Sequence, residues 1–168
     1  MDDQGRSHRA TFAAGCFWDV EAEFRKIDGV VGTVVGYTGG NVPNPTYDQV
    51  ESGLTGHVEA VGIMFDPAIL SYDQLLDIFW MMHNPTKAGG QGEYHGTQYR
   101  SVIFFHDKSQ EAAARQSLSR APQTNRSLTG SILTEILPAE KFWPAEECHQ
   151  QFYEKCGKGY GISRQADD

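Results

Sequence analysis

Apolar and polar positions switch between two periods along this chain, and the switches mark its elements. Residues 9–14 (RATFAA) read as a first strand, closed by Gly15. In residues 17–26, Phe17, Val20 and Phe24 recur at helical spacing, with Glu21, Glu23 and Arg25 between them, so a helix follows and ends at Asp28-Gly29. Valine-rich residues 30–37 form a second strand. Residues 47–52 fit neither period well. Residues 58–65 (VEAVGIMF) form a third strand whose alternation sets Glu59, Val61, Ile63 and Phe65 on one face. Ser71-x-x-Gln74 is a capping box opening a helix through Leu75, Leu76, Ile78 and Phe79 to about His83, before Pro85. A glycine-rich loop spans 86–98. Residues 101–106 are a fourth strand, and Asp107-x-x-Gln110 caps an alanine-rich helix to about Arg120. Residues 132–137 are a fifth strand, and a last helix covers 146–155.

The first six elements run β-α-β-β-α-β, the order of the ferredoxin-like split βαβ unit. The expected class is therefore α/β. One catalytic domain is expected over residues 1–168, with a core at about 9–155 and a glycine-rich, mobile tail from 156. The length of 168 residues suits one domain that can bury a core without staples.

Apolar content of 39% and charged content of 21% are those of a globular chain. No apolar run approaches a membrane span, and MDDQGRSHRA lacks the apolar stretch of a signal peptide. A cytoplasmic protein, acting as a monomer, is expected. A formal net charge of -8 without any basic cluster argues against nucleic acid or an anionic membrane as partner. The glycine-rich strings GYTGGN and GKGYG match no phosphate-binding pattern.

Three cysteines, Cys16, Cys148 and Cys156, are too few for a disulfide scaffold, and their spacing with His149 matches no common zinc site. Cys16 stands at a strand-to-helix junction. There the helix dipole and unpaired N–H groups favour a thiolate and so a reactive thiol; the alternative is a small buried packing residue. Phe17 and Trp18 beside it are candidates to wall a small apolar pocket, or to pack in the core. Glu59 shares a face with three apolar residues; if buried, it holds its proton near neutral pH, as a general acid must. Tyr37, Tyr47, Tyr94 and Tyr99 fall in or near loops, with hydroxyls able to donate to a polar oxygen. A cysteine hydrolase stays open at this point, because His57, His83, His95, His106 and His149 are available as bases.

The strings GCFW-x-x-E, GYTGG, Tyr47-x-x-Val50, TGHVEAV, QG-x-x-x-GTQYRS and AEECHQ occur in this order. Together they closely resemble the A-type peptide-methionine sulfoxide reductases, across about residues 9–155. The resemblance implies an α/β roll around the ferredoxin-like core. It implies reduction of methionine S-sulfoxide, free or in proteins, with Cys16 as nucleophile and Phe17 and Trp18 housing the sulfoxide methyl group. Glu59 would protonate the sulfoxide oxygen, with Tyr47 and Tyr99 hydrogen-bonding it. No metal or bound cofactor is implied, only an external dithiol: thioredoxin in the cell, dithiothreitol in vitro.

The chain departs from the family pattern at two places. The family commonly has aspartate in QG-x-D, where this chain has Tyr94; Tyr94 is expected to line the substrate site. The usual resolving cysteine lies in a GYC tail motif, where this chain has Gly161. Cys156, at the start of the tail, is favoured as resolving thiol over Cys148, which the expected last helix would hold away from Cys16.

Overall fold

The computed structural model describes residues 8–88, 90–91, 94–126, 128 and 130–156. The strands β1 (His8–Ala14), β2 (Val30–Thr38), β3 (Val58–Phe65) and β6 (Ser101–Phe105) stand in the order β6-β1-β3-β2, every neighbouring pair antiparallel. With α1 (Phe17–Arg25) and α3 (Tyr72–Met82) as crossovers, this is the expected ferredoxin-like order. Outside it, β7 (Glu135–Pro138) adds parallel to β6, and β8 (Trp143–Pro144) pairs with the edge of β2. Two short strands of the glycine-rich loop, β4 (Gly90–Gln91) and β5 (Tyr94–His95), pair antiparallel.

Alternation along the strands makes two apolar faces. Phe12, Val61, Ile63 and Ile103 face α1, α3 and α4 (Lys108–Thr124), meeting Phe17, Val20, Phe24, Leu75, Leu76, Phe79, Trp80, Ala114 and Ala121. The Phe12 ring lies between Phe24 and Phe79, with centroids 5.6 and 5.2 Å away. Each fully buried phenylalanine contributes roughly 1.5–3 kcal/mol. On the opposite face Ala13, Val58, Ala60, Val102 and Phe104 pack beneath Leu137, Ala139 and Phe142. Glu59 belongs by register to the helix-covered face, which buries it.

Both capping boxes at helix starts are made: Ser71 with Gln74 opens α3, and Thr46 with Gln49 opens α2 (Tyr47–Glu51), a short helix that the undecided pattern of 47–52 leaves unassigned. Two other segments differ from expectation. The fifth strand begins only at Glu135. Residues 146–155 are not one helix but a 3-10 turn, Glu147–His149, and a short α5, Phe152–Cys156. The Gln150 amide bonds the backbone N–H and carbonyl of Val35 on β2 and the carbonyl of Ala145, which draws Gln150 into an extended conformation; Gln151 follows at φ +52°. These distant bonds override local helix propensity. The tail beyond Cys156, including Gly161, lies outside the described residues, as do Gly92 and Glu93 of the QGEY string.

Candidate active site

Cys16 is the residue before the first turn of α1, with its carbonyl bonded to the N–H groups of Asp19 and Val20 at 3.1 and 3.2 Å. Gly15 makes the turn out of β1 at φ +104°, a conformation that favours glycine. Gln91 folds over it and is tied by its amide to both the N–H and the carbonyl of Asn84, so the glycine-rich loop closes one side of the junction.

The thiol does not carry the lowered pKa that its place on α1 suggests. Burial, then the charges of Glu59 and Asp19, push Cys16 up to about 12; N–H groups of Trp18 and Asp19 pull the other way but do not prevail. Desolvation outweighs the helix end because Cys16 is only 6% exposed. The resting side chain is a neutral thiol.

Glu59, 1% exposed, comes from β3 beneath α1, and its Oε1 accepts a hydrogen bond from the Phe17 N–H at 3.1 Å. Burial drives its pKa up to about 9; the Phe17 bond opposes this, and a side-chain hydrogen bond with Glu51 reinforces it. The carboxyl therefore keeps its proton at neutral pH, one residue from Cys16.

Phe17 is buried, against Tyr37, Tyr47 and His149 at centroid distances of 5.7, 6.5 and 5.6 Å. Trp18 is half-buried beside Tyr47 and His149 and is stacked by Phe152. So the aromatic pair divides: Phe17 forms a floor and Trp18 a wall. Tyr99 is buried and gives its hydroxyl hydrogen to the Glu51 carboxyl. The Tyr94 ring is 5.4 Å from that of Tyr99. The hydroxyls of Tyr47 and Tyr99 are held protonated far above neutrality, first by burial and then by Glu51 and Glu59. The structure thus brings Cys16, Phe17, Trp18, Tyr47, Glu59, Tyr94 and Tyr99 together. Cys148, in the 3-10 turn, and Cys156, at the end of α5, are both exposed, and all three cysteines are free thiols.

Three residues at the site carried no assigned role in the sequence. His149 accepts the Trp18 indole N–H on Nδ1 at 3.1 Å and lies 4.4 Å from the Tyr47 ring; burial lowers its pKa, so it is neutral. Glu146 accepts from the Tyr37 hydroxyl and the Tyr47 N–H, both at 2.8 Å, and so fixes the start of α2. The string AEECHQ held the signal for both. Glu51 stands one helical turn after Tyr47, on the same face.

Three other histidines, His57, His83 and His106, are tied into the fold by hydrogen bonds. His57 takes the Gly40 N–H on Nδ1 and gives its Nε2 hydrogen to the Val42 carbonyl, which ties GYTGG to TGH. His83 is half-buried between Phe79 and Ser101, bonding the Phe79 carbonyl and the Ser101 hydroxyl, and desolvation lowers its pKa to about 4. His106 bonds Thr11. Among the described residues, no three His, Cys, Asp or Glu side chains are grouped as metal ligands, and no helix is long and apolar enough to cross a membrane.

The family model described as peptide methionine sulfoxide reductase matches residues 8–167. A peptide methionine sulfoxide reductase MsrA from Geobacter metallireducens is 53% identical over 159 residues, which cover 95% of this chain and 98% of its own. Among solved structures, Mxr1 from Saccharomyces cerevisiae in reduced form aligns with a TM-score of 0.85 at 31% identity, over 94% of this chain and 90% of that one. Methionine sulfoxide reductase A of Corynebacterium diphtheriae aligns with a TM-score of 0.83 at 36% identity, over 92% and 77%.

Proposed function

The chain belongs to the peptide methionine sulfoxide reductase family, and we propose that it reduces methionine S-sulfoxide, free or in proteins, with Cys16 as nucleophile and Glu59 as acid. In this role it repairs oxidised proteins. One observation carries the residue assignment: a buried, proton-holding carboxyl on the N–H of the residue next to a buried thiol.

The oxygen of a sulfoxide is a poor leaving group until it is protonated. Glu59 supplies that proton, and the hydroxyls of Tyr47 and Tyr99 donate to the same oxygen. A methyl group on sulfur fits against Phe17 and Trp18, and Tyr94 lines the same pocket. The Cys16 Sγ attacks the sulfur, the sulfur–oxygen bond breaks, and oxygen passes to Cys16. Sulfoxide plus thiol become thioether plus sulfenic acid, and the thiol hydrogen replaces the one Glu59 gave. A neutral resting thiol suits this balance, since attack and proton return are coupled.

The sulfenic acid then condenses with a second thiol, releasing water and forming a disulfide. Cys156 is the proposed partner and Cys148 the alternative. A thioredoxin-like dithiol, or dithiothreitol in vitro, restores Cys16 by exchange. The same reading has the enzyme acting as a cytoplasmic monomer of one domain. It needs no bound metal or cofactor, because side chains of one chain and an external dithiol supply every reacting group.

The test is turnover of a peptide methionine sulfoxide with excess dithiothreitol, followed as loss of one oxygen mass. The wild type turns over, Cys16→Ser does not, and Glu59→Gln is slowed. No wild-type turnover sinks the function; equal turnover by Cys16→Ser sinks the mechanism.

A further inference from the structure

Glu51 is a second carboxyl at this site, and it bonds in two directions. The Tyr99 hydroxyl reaches both of its oxygens, at 3.1 and 3.3 Å. Its carboxyl is also hydrogen-bonded to the Glu59 side chain. Ionised carboxylates only accept hydrogen bonds, so this contact uses the proton that Glu59 holds. The Phe17 N–H occupies Glu59 Oε1 from the α1 side. Glu51 is held in place at the end of α2, a helix started by the Thr46–Gln49 box and by Glu146, and its carbonyl receives the Gln98 amide at 3.5 Å.

We propose that Glu51 is a positioning residue for sulfoxide reduction, which shares the acid proton with Glu59 and aims the Tyr99 hydroxyl. The proposal rests on Glu59 being the acid. Before reaction the proton lies between the two carboxyls. After transfer to the sulfoxide oxygen, two carboxylates face one another, and their repulsion favours recapture of a proton by Glu59. The Cys16 thiol provides that proton as its sulfur is oxidised. Glu51 thus keeps the acid loaded in the resting enzyme and drives its reloading within the turnover. The other titratable groups around Glu59 are Cys16 just before α1, Asp19 in α1, Tyr37 from β2, Tyr47 from α2, and Tyr99.

The experiment is the pH profile of kcat/KM with a peptide sulfoxide and saturating dithiothreitol, for wild type, Glu51→Gln, Glu51→Asp and Glu59→Gln. Gln keeps a partner for Tyr99 but removes the second charge. The alkaline limb is expected to fall by about one pH unit in Glu51→Gln, about a tenfold loss on that limb. Glu51→Asp is expected to restore the limb toward the wild-type position, and KM to change little. Should Glu51→Gln fail to fold, Glu51→Ser is expected to show the same displacement. A uniform loss at every pH, with the limb unmoved, overturns the proposal and leaves Glu51 a packing residue. If Glu59→Gln is slowed and Glu51→Gln keeps the wild-type limb, only the role of Glu51 falls. Full activity of Glu59→Gln removes the acid itself, and Glu51 with it.

Discussion

The ring of Phe152 lies flat on the indole of Trp18, with centroids 3.9 Å apart and planes 8° from parallel. The contacts that follow step along α1: Tyr153 bonds Asp19 at 2.6 Å, and Glu154 pairs with Arg25. Because α1 runs from Phe17 to Arg25 away from Cys16, α5 carries Cys156 away from it as well. For Cys156 to meet Cys16, α5 must leave α1 and uncover Trp18. That release is inexpensive. The helix has five residues and none of them is buried, and its ion pair is at the surface.

Phe152→Ala is therefore expected to speed formation of the Cys16–Cys156 disulfide after one equivalent of sulfoxide. An aromatic stack contributes about 0.5–1.5 kcal/mol, which corresponds to roughly a two- to tenfold faster step. Quenched-flow alkylation with peptide mapping measures it. A Cys16–Cys148 link, or a rate that Phe152→Ala leaves unchanged, removes Cys156 and α5 from the resolving step.

Thiol labelling separates the effect of burial from that of the helix end. With iodoacetamide at neutral pH, the exposed Cys148 and Cys156 are expected to react first, and Cys16 to lag by about 100-fold or more, because the thiolate is the nucleophile. Above about pH 9, where Glu59 ionises, its charge opposes the thiolate, so in Glu59→Gln the labelling of Cys16 is expected to rise ahead of the wild type in that range. Cys16 labelling first in the resting enzyme contradicts this account.

Much of this arrangement is legible in the sequence because it rests on local rules. Alternation in 58–65 alone puts Glu59 on an apolar face, and the structure buries it there. The junction after Gly15 puts Cys16 at a helix start. What the sequence misjudges depends on distance in space. The helix-dipole argument for Cys16 holds in sign, through the N–H groups of Trp18 and Asp19, but it cannot weigh the burial that prevails. Residues 146–155 have helical spacing, yet the Gln150 amide is committed to Val35, over a hundred positions away, and this splits the segment. Glu51 stays unread for a nearer reason. The Thr46–Gln49 box starts a five-residue helix, too short for periodicity to mark, and that helix turns Glu51 toward Tyr99.

Gly40 is expected to tolerate no side chain. A Cβ there would lie 2.3 Å from the His57 N and 2.5 Å from the Thr55 carbonyl, both backbone atoms that cannot yield cheaply. The same approach lets the Gly40 N–H reach His57 Nδ1. Gly40→Ala should cost at least about 1–3 kcal/mol by overpacking. Urea unfolding measures this as a lowered midpoint with an unchanged slope. A midpoint equal to the wild type would mean that the loop carrying GYTGG is not held against residues 55–57.

Glu59 should leave a signature in stability as well as in rate. Its folded pKa is raised, so between the ordinary carboxylate range and about 9 the folded state holds a proton that the unfolded chain has released. Stability from this source is complete below the unfolded pKa and is lost as pH rises through the folded one. Glu59→Gln keeps an acceptor for the Phe17 N–H and cannot ionise. The variant is therefore expected to gain stability relative to wild type as pH rises from 5 toward 9. Its kcat/KM should fall by roughly 10²–10⁴-fold, the usual contribution of a positioned proton donor. Paired urea titrations across that range, with turnover measured on the same samples, test both. Parallel pH dependences of stability in the two proteins would show that Glu59 ionises normally, and the proton-holding carboxyl beside Cys16 would then be wrong.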